Sequence, residues 1–328
     1  MEPMKSILIA YDGSECADAI ITELRHVGLP AQLEVHVISV EETFLVPISD
    51  PGMWAPFPAI MPTLPSAADV NAQLAEKAAD TAAKGAEKIR AAFPSWMVSS
   101  MGKVESVARA IMLRASDVSA DIIFIGSHSR SAVGRFFLGS VSHKVAAEAK
   151  CGVHICRPHA PFGGTPRVVV AVDGSVASTI AVNAIIDREW PADTLVAVVS
   201  VIESPFRGTD FSGEFSDPWL RVRLGEPTTE RDKRLAELEK VAEAAHRKIH
   251  LAGINCESHT LVGPPKQTLL EWTESWKADC IFIGASGTQH PGTEAFGTVA
   301  SAISVRAHCS VEIARNRPAE IIANGPAL

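Results

Sequence analysis

Gly126 to Ser140, GSHSRSAVGRFFLGS, carries residue types that hold a phosphate without a metal cluster or a reactive side chain. It follows the apolar run Asp121-Ile-Ile-Phe-Ile125, which reads as a buried strand, and precedes a helix-like segment, Val141 to Ala149. Glycine after a strand lets the backbone turn sharply and keeps its amides accessible. A Gly-Ser pair opening a helix adds unsatisfied N–H groups and the positive end of the helix dipole. Together these suit an anion such as phosphate. The device recurs as Gly284 to Thr298, GASGTQHPGTEAFGT, after Asp279-Cys-Ile-Phe-Ile283. Each copy also has an Asp-Gly-Ser at the end of an earlier apolar strand, Asp12-Gly-Ser14 and Asp173-Gly-Ser175.

The two loops differ in what they offer a phosphate. The first supplies His128, Arg130 and Arg135, which bring charge. The second has Thr288, Gln289, His290, Pro291 and Glu294; the proline removes an amide and the glutamate repels an anion. On charge, the first half is the expected phosphate site. Against it stands Ser129, where the second copy has Gly287. If that position needs a positive φ or a close backbone approach, serine costs about 1 kcal/mol or more. Plain structural roles stay open as well. Asp12 and Asp173 are good helix N-caps, as are Ser140 and Thr298. Gly126 and Gly284 would serve equally as turn glycines, and the arginines as a solvated face.

Other chemistries find little support. There is no G-x4-G-K-[ST] loop, no G-x-S-x-G elbow and no C-x-x-C. The six cysteines are scattered without zinc-finger spacing and read as buried free thiols of a reducing cytosol. His128 lacks a partner at ligand spacing, and His143, His154 and His308 are dispersed, so no metal site is expected. Without a clear general base or a phosphate lysine, fast ATP hydrolysis is not expected either.

The elements that must position these loops repeat. In the first half, strands are expected at Lys5–Tyr11, Leu33–Val40, Trp96–Val104, Ile122–Ile125 and Cys151–Arg157. Between them lie helical stretches: one through Ala17, Ile20, Leu24 and Val27, stopped by Gly28 and Pro30, then Ala67–Ala92, Val107–Ala115 and Val141–Ala149. The second half repeats the order, with strands at Arg167–Val172, Thr194–Ile202, Asn255–Val262, Asp279–Ile283 and Ser310–Ala314. Its helices are expected at Val176–Asp187, around Leu235 to Ile249, at Leu269–Trp276 and at Val299–Ala307. Two inserts, 41–66 and 203–226, are rich in proline or aromatic residues and read as interface or lid segments. Gly126 and Gly284, Gly139 and Gly297, and Cys151 and Cys309 share one offset. Alternating strands and helices imply parallel βαβ units, with ligands beyond the carboxyl ends of the strands. The expected domains are 1–158 and 166–316, with a linker at 159–165 and a loose tail at 317–328.

At 328 residues and a formal charge of −8, the chain suits two globular units and no general nucleic-acid binding. No signal peptide and no bilayer-length apolar run is visible, so a cytoplasmic protein without a membrane partner is expected.

The paired motifs resemble the universal stress protein family in its tandem form. That family has Asp-Gly-Ser after the first strand and G-x2-G-x9-G-[ST] after the fourth. Gly284, Gly287, Gly297 and Thr298 match in full; Gly126, Ser129, Gly139 and Ser140 match with one glycine replaced. The resemblance implies an α/β fold of two tandem doubly wound domains, each a five-stranded parallel sheet of the adenine-nucleotide alpha-hydrolase-like type flanked by helices. It implies that the last strands, Val153–Arg157 and Val311–Arg315, meet across a pseudo-two-fold. It further implies ATP or a related adenine nucleotide as a regulatory ligand, with Mg2+ held mainly by phosphate oxygens. In the first half the site would comprise Asp12, Val40, Gly126, His128, Ser129, Arg130, Gly139, Ser140 and Val141. In the second it would comprise Asp173, Val201, Gly284, Gly287, Gly297, Thr298 and Val299. A homo-oligomer of tandem chains, a dimer, and an unidentified protein partner are further expectations. A nucleotide-free interaction scaffold and a slow ATP hydrolase are the alternatives.

Overall fold

A computed structural model of the chain describes residues 4–42, 67–127, 138–157, 164–203, 228–287 and 296–316. Nearly all of both inserts, most of the linker, the tail, and loop residues His128, Ser129, Arg130, Arg135, Thr288, Gln289, His290, Pro291 and Glu294 lie outside the described residues. The first half runs β1 (Ser6–Ala10), α1 (Glu15–Glu23), β2 (Glu34–Glu41), α2 (Ala67–Ala92), β3 (Met97–Val104), α3 (Val107–Asp117), β4 (Ile122–Gly126), α4 (Ser140–Glu148) and β5 (Gly152–Cys156). The second runs β6 (Arg167–Ala171), α5 (Val176–Ile186), β7 (Leu195–Glu203), α6 (Thr228–Leu251), β8 (Asn255–Gly263), α7 (Pro265–Ser275), β9 (Cys280–Gly284), α8 (Thr298–Arg306) and β10 (Ser310–Ala314).

Within each half the five strands are parallel, and the central ones are the short apolar runs covered on both faces, while β3 and β8 at the edges are more exposed. The expected meeting of the last strands is present: β5 pairs antiparallel with β10, with Val153 opposite Ile313, His154 opposite Glu312 and Ile155 opposite Val311. Two five-stranded sheets thereby become one of ten, in the order β3-β2-β1-β4-β5-β10-β9-β6-β7-β8.

The two faces of this sheet are filled differently. One face carries α3, α4, α7 and α8 over a single apolar core that runs from Leu8 and Ile123 through Val153 and Ile313 to Ile281 and Val199. The other face holds two separate cores. One lies under α1 and α2, around Ile9, Ile20, Ile89 and Phe124; the other lies under α5 and α6, around Val170, Ile185, Ile249 and Phe282. Between them is a buried polar cluster. His154 Nε2 meets Glu23 Oε1 at 2.8 Å and its Nδ1 meets Glu312 Oε2 at 2.9 Å. Arg188 donates to Glu312 and, at 2.6 Å, to the Val27 carbonyl. Burial alone would lower the basicity of His154, but the Glu23 and Glu312 carboxylates push it up to about 9. Burial would raise Glu312, yet Arg188 and His154 hold it below its ordinary value. Two like charges and two opposite ones thus offset each other's loss of water.

A reciprocal contact reinforces the seam on the other side. Arg157, just past β5, donates to the Ser304, Val305 and Cys309 carbonyls at and beyond the end of α8. Arg315, just past β10, donates to the Ala146 carbonyl near the end of α4 at 2.5 Å. Each guanidinium meets the negative end of a helix from the opposite half.

One expected helix ends early. The stripe through Leu24 and Val27 predicted that the first helix would reach Gly28, but α1 stops at Glu23. Arg25 N donates to the Thr22 carbonyl and His26 N to that of Glu23, so the chain tightens into i,i+3 turns. Leu24 and Val27 are still buried, which is why the periodicity mimicked a longer helix. In the second half α7 begins one turn earlier than expected, because Pro265 is tolerated in a first helical turn.

Replacing His154 by Leu leaves two buried carboxylates facing one arginine. The expected loss is about 3–5 kcal/mol, as for breaking a buried charge pair. Urea unfolding of the full chain measures it, and a loss below about 1 kcal/mol would show that the cluster contributes little to holding the halves together.

Candidate functional site

In both halves the sheet order reverses between the first and fourth strands of the unit, β1 and β4 or β6 and β9. Chains leaving such neighbours diverge to opposite faces and open a crevice at their carboxyl ends. Asp12 follows β1 and the first glycine loop follows β4; Asp173 and the second loop follow β6 and β9. The fold therefore brings each Asp-Gly-Ser to the rim of the same crevice as its glycine loop.

The aspartates are held in Asx turns. Asp12 Oδ1 accepts from Ser14 N at 2.9 Å, and Asp173 Oδ1 accepts from Ser175 N at 2.9 Å. Gly13 and Gly174 have φ of 71° and 80°, where only glycine sits without strain. The N-caps are the serines: Ser14 accepts from Ala17 N at 3.2 Å and Ser175 from Ser178 N at 3.0 Å. The capping role left open for Asp12 and Asp173 therefore belongs to their neighbours. Asp12 is half-buried and Asp173 exposed.

The glycine loops are tied at their ends. Gly139 N donates to the Ser127 carbonyl, and Gly297 N to the Ala285 carbonyl, both at 2.8 Å. Gly139 and Gly297 are themselves the N-caps of α4 and α8, and neither helix has a side-chain cap hydrogen bond. Ser140 and Thr298 are the first helical residues rather than caps, and both are exposed; Val141 and Val299 pack half-buried behind them. A helix start without a side-chain cap leaves its first amides for another acceptor.

Space, rather than φ, explains the glycines of the second loop. A Cβ on Gly284 would stand 2.5 Å from the Ala177 carbonyl carbon, in the first turn of α5. A Cβ on Gly287 would stand 3.1 Å from Asp173 Oδ2, and one on Gly297 3.3 Å from the Ala285 carbonyl oxygen. In the first half the fit is looser: a Cβ on Gly126 would meet Cys16 Cβ at 3.2 Å.

Val40 and Val201 mark the third side of each crevice. The ladder of β2 with β1 ends at the Ala10–Ile38 pair, followed only by Tyr11 N donating to the Ile38 carbonyl. The ladder with β3 continues to Glu41–Val104. Backbone groups of alternate residues face the same neighbour. The N–H and C=O of Val40 thus face the β1 side beyond its end, where no described strand pairs with them. Val201 repeats this, since Val172 N donates to the Val199 carbonyl and β8 alone runs on beside β7.

A further group went unnoticed in the sequence. Tyr11 OH donates to Asp18 Oδ1 at 2.6 Å, and Lys88 Nζ reaches both, at 2.6 Å to Asp18 and 3.0 Å to Tyr11. Burial and Asp18 raise the Tyr11 hydroxyl above its ordinary value. Gly85 lets α2 lie on the tyrosine ring, where a Cβ would stand 2.7 Å away. The chain's single tyrosine, directly before Asp12, was the available signal. The second half has Val172 there, so only the first crevice has this strut.

Gly284→Ala should destabilise the chain by about 1–3 kcal/mol, because backbone must move to admit the methyl group. Gly126→Ala, which meets the Cys16 Cβ at 3.2 Å, so that the neighbour must give by a few tenths of an ångström, should cost less than Gly284→Ala. Thermal unfolding of the two variants side by side tests the ranking.

Comparison with known proteins agrees with the fold and the duplication. The family model described as "Universal stress protein family" matches residues 3–157 and again 164–315. A universal stress protein of Methanocaldococcus jannaschii is 29% identical over 150 residues, 45% of this chain and 81% of that protein. One of Thermus aquaticus is 48% identical over 50 residues, 15% of this chain and 36% of that protein. Among solved structures, a universal stress protein of Archaeoglobus fulgidus superposes with a TM-score of 0.61 at 20% identity, covering 96% of this chain and 97% of that one. A Pseudomonas aeruginosa protein of unknown function gives 0.59 at 13% identity, covering 98% and 95%. The two copies of the Asp-Gly-Ser and glycine-loop device, each inside a separate family match, make this chain a tandem member of the universal stress protein family.

Proposed function

We propose that the chain binds ATP or a related adenine nucleotide in its switch-point crevices and uses it as a regulatory ligand. The observation that carries this reading is the convergence of three unlike features at one rim. These are a carboxylate in a fixed Asx turn, a strand edge whose backbone donor and acceptor meet no described strand, and a helix start whose N-cap is glycine. A flat heteroaromatic ring with a hydrogen-bonding edge suits the first two, and a phosphate suits the third. The glycines fit the same ligand: their missing Cβ atoms keep open the space between Asp173, Gly287 and the start of α8.

In this reading Asp173 accepts from the ligand's ring system, the Val201 backbone reads its edge, and Gly284, Gly287 and Gly297 let the phosphates approach the amides of Thr298 and Val299. Asp12, Val40, Gly126, Gly139, Ser140 and Val141 play the same parts in the first half. Any Mg2+ is carried by the phosphate oxygens. A Cβ at Gly287 would crowd Asp173, and the first copy has Ser129 at the matching place in the sequence; on that ground we take the second crevice as the stronger site, against the preference that loop charge alone gives to the first.

Native mass spectrometry of the freshly purified chain, with identification of released small molecules, should find an adenine nucleotide. In calorimetric titration with ATP and Mg2+, Asp173→Ala should weaken the stronger site about tenfold or more, the loss of one hydrogen bond to a charged group, and Gly287→Ser should weaken it by crowding the Asp173 carboxylate. No co-purified nucleotide and no thermal shift at millimolar ATP would sink the proposal and leave the ligand-free scaffold in its place.

A further inference from the structure

Glu23, His154 and Cys156 belong to no binding motif and are far apart in sequence. Glu23 closes α1, while His154 and Cys156 alternate along β5 and so leave the same face of the strand. One carboxylate oxygen, one imidazole nitrogen and one thiol sulfur lie within 4.8 Å of one another, and all three side chains are buried. Each oxygen and nitrogen ligand is oriented from behind. Glu312 Oε2, 2.9 Å from His154 Nδ1, turns Nε2 towards Glu23. Ser310 Oγ donates to the other Glu23 oxygen at 2.9 Å. Carboxylates and hydroxyls in these outer positions fix ring and carboxylate at protein metal centres.

The charge balance permits a metal. Arg188 pairs with Glu312, and Glu23 is balanced by the protonated imidazole beside a neutral thiol. A divalent cation on one carboxylate, one thiolate and one neutral imidazole makes a neutral assembly. It takes the places of the imidazolium and thiol protons without adding net charge to the interior.

We infer that Glu23, His154 and Cys156 form a buried site for one zinc-class divalent cation at the seam between the two halves. Mixed nitrogen, oxygen and sulfur ligands select zinc or cobalt over magnesium or calcium. The 2.8 Å contact between His154 and Glu23 must open by about 0.6 Å, since ligand atoms about 2.1 Å from a tetrahedral zinc stand about 3.4 Å apart. The full burial of the site means that metal enters as the chain folds.

The test is refolding of the full chain with Co2+ under a non-coordinating reductant. The expected result is one cobalt retained per chain after gel filtration, with a thiolate-to-cobalt charge-transfer band that Zn2+ bleaches. Cys156→Ser should lose the band, and Cys280→Ser, a neighbouring buried thiol outside the set, should keep it. X-ray absorption on the zinc-loaded wild-type chain should show a single sulfur at about 2.3 Å among lighter ligands, and it decides the matter if Cys156→Ser does not fold. Refolded protein without the band, a band that survives Cys156→Ser, or a metal shell without sulfur would each overturn the site and leave a hydrogen-bonded ionic cluster only.

Discussion

Strands β5 and β10 would each be an open sheet edge in an isolated half. An exposed row of backbone donors and acceptors invites pairing with whatever chain is near. Here each edge closes the other, and the antiparallel register is held by side chains as well as by the ladder. His154 lies opposite Glu312, and both project to the face where α1 and the turn after α5 deliver Glu23 and Arg188. A slip of one residue would put His154 and Glu312 on opposite faces of the sheet and break their contact. The cluster therefore specifies one register, and with it the position of one half against the other.

That specification is needed because the apolar packing near the seam is permissive. The shared core under α3, α4, α7 and α8 is built mostly of Ile, Val and Ala from both halves. Interchangeable aliphatic contacts give stability more readily than a unique geometry. The polar contacts add direction. Arg157 reads the end of α8 and Arg315 the end of α4, each carbonyl set accepting from the opposite half. The aromatic rings of Phe124 and Phe282, equivalent residues of the two copies, flank the cluster at 4.9 Å from His154 and 5.0 Å from Arg188. The duplication supplies the symmetric frame, and the unlike residues at its centre make the pairing of halves asymmetric.

Much of this was legible in the sequence because the relevant signals are local. Short apolar runs ending in Asp-Gly-Ser or in the glycine loops marked β1, β4, β6 and β9, and the alternation of strands with helices marked the parallel sheets. The bounds of α2 and β10 followed from periodicity and composition alone. The misreadings were also physical. Leu24 and Val27 are buried from a turn rather than a helix, and burial is all that periodicity reports. The capping role left open for Asp12 belongs to Ser14 because turn geometry, not residue type, decides which oxygen reaches the helix amides. The seam cluster was invisible, because Glu23, His154, Arg188 and Glu312 approach one another only through the pairing of strands far apart in the chain. His154 read as one of several dispersed histidines for the same reason.

The seam and the crevices are mechanically one system. Helix α1 is nine residues long, a rod of about 13 Å. Its first turn is fixed to the Asp12 turn by the Ser14 cap, and its last residue, Glu23, is fixed to His154 and Ser310. In the other half α5 starts at the Ser175 cap beside Asp173, and Arg188, just beyond its end, is fixed to Glu312 and to Val27. A short helix pinned at both ends cannot tilt without breaking a buried charged contact, which costs far more than a surface hydrogen bond. The rims of both crevices therefore take their positions from a common origin at the centre of the sheet. Helix α1 joins the Asp12 turn at one end to Glu23 at the other, and Glu312, in contact with both His154 and Arg188, joins α1 to the end of α5.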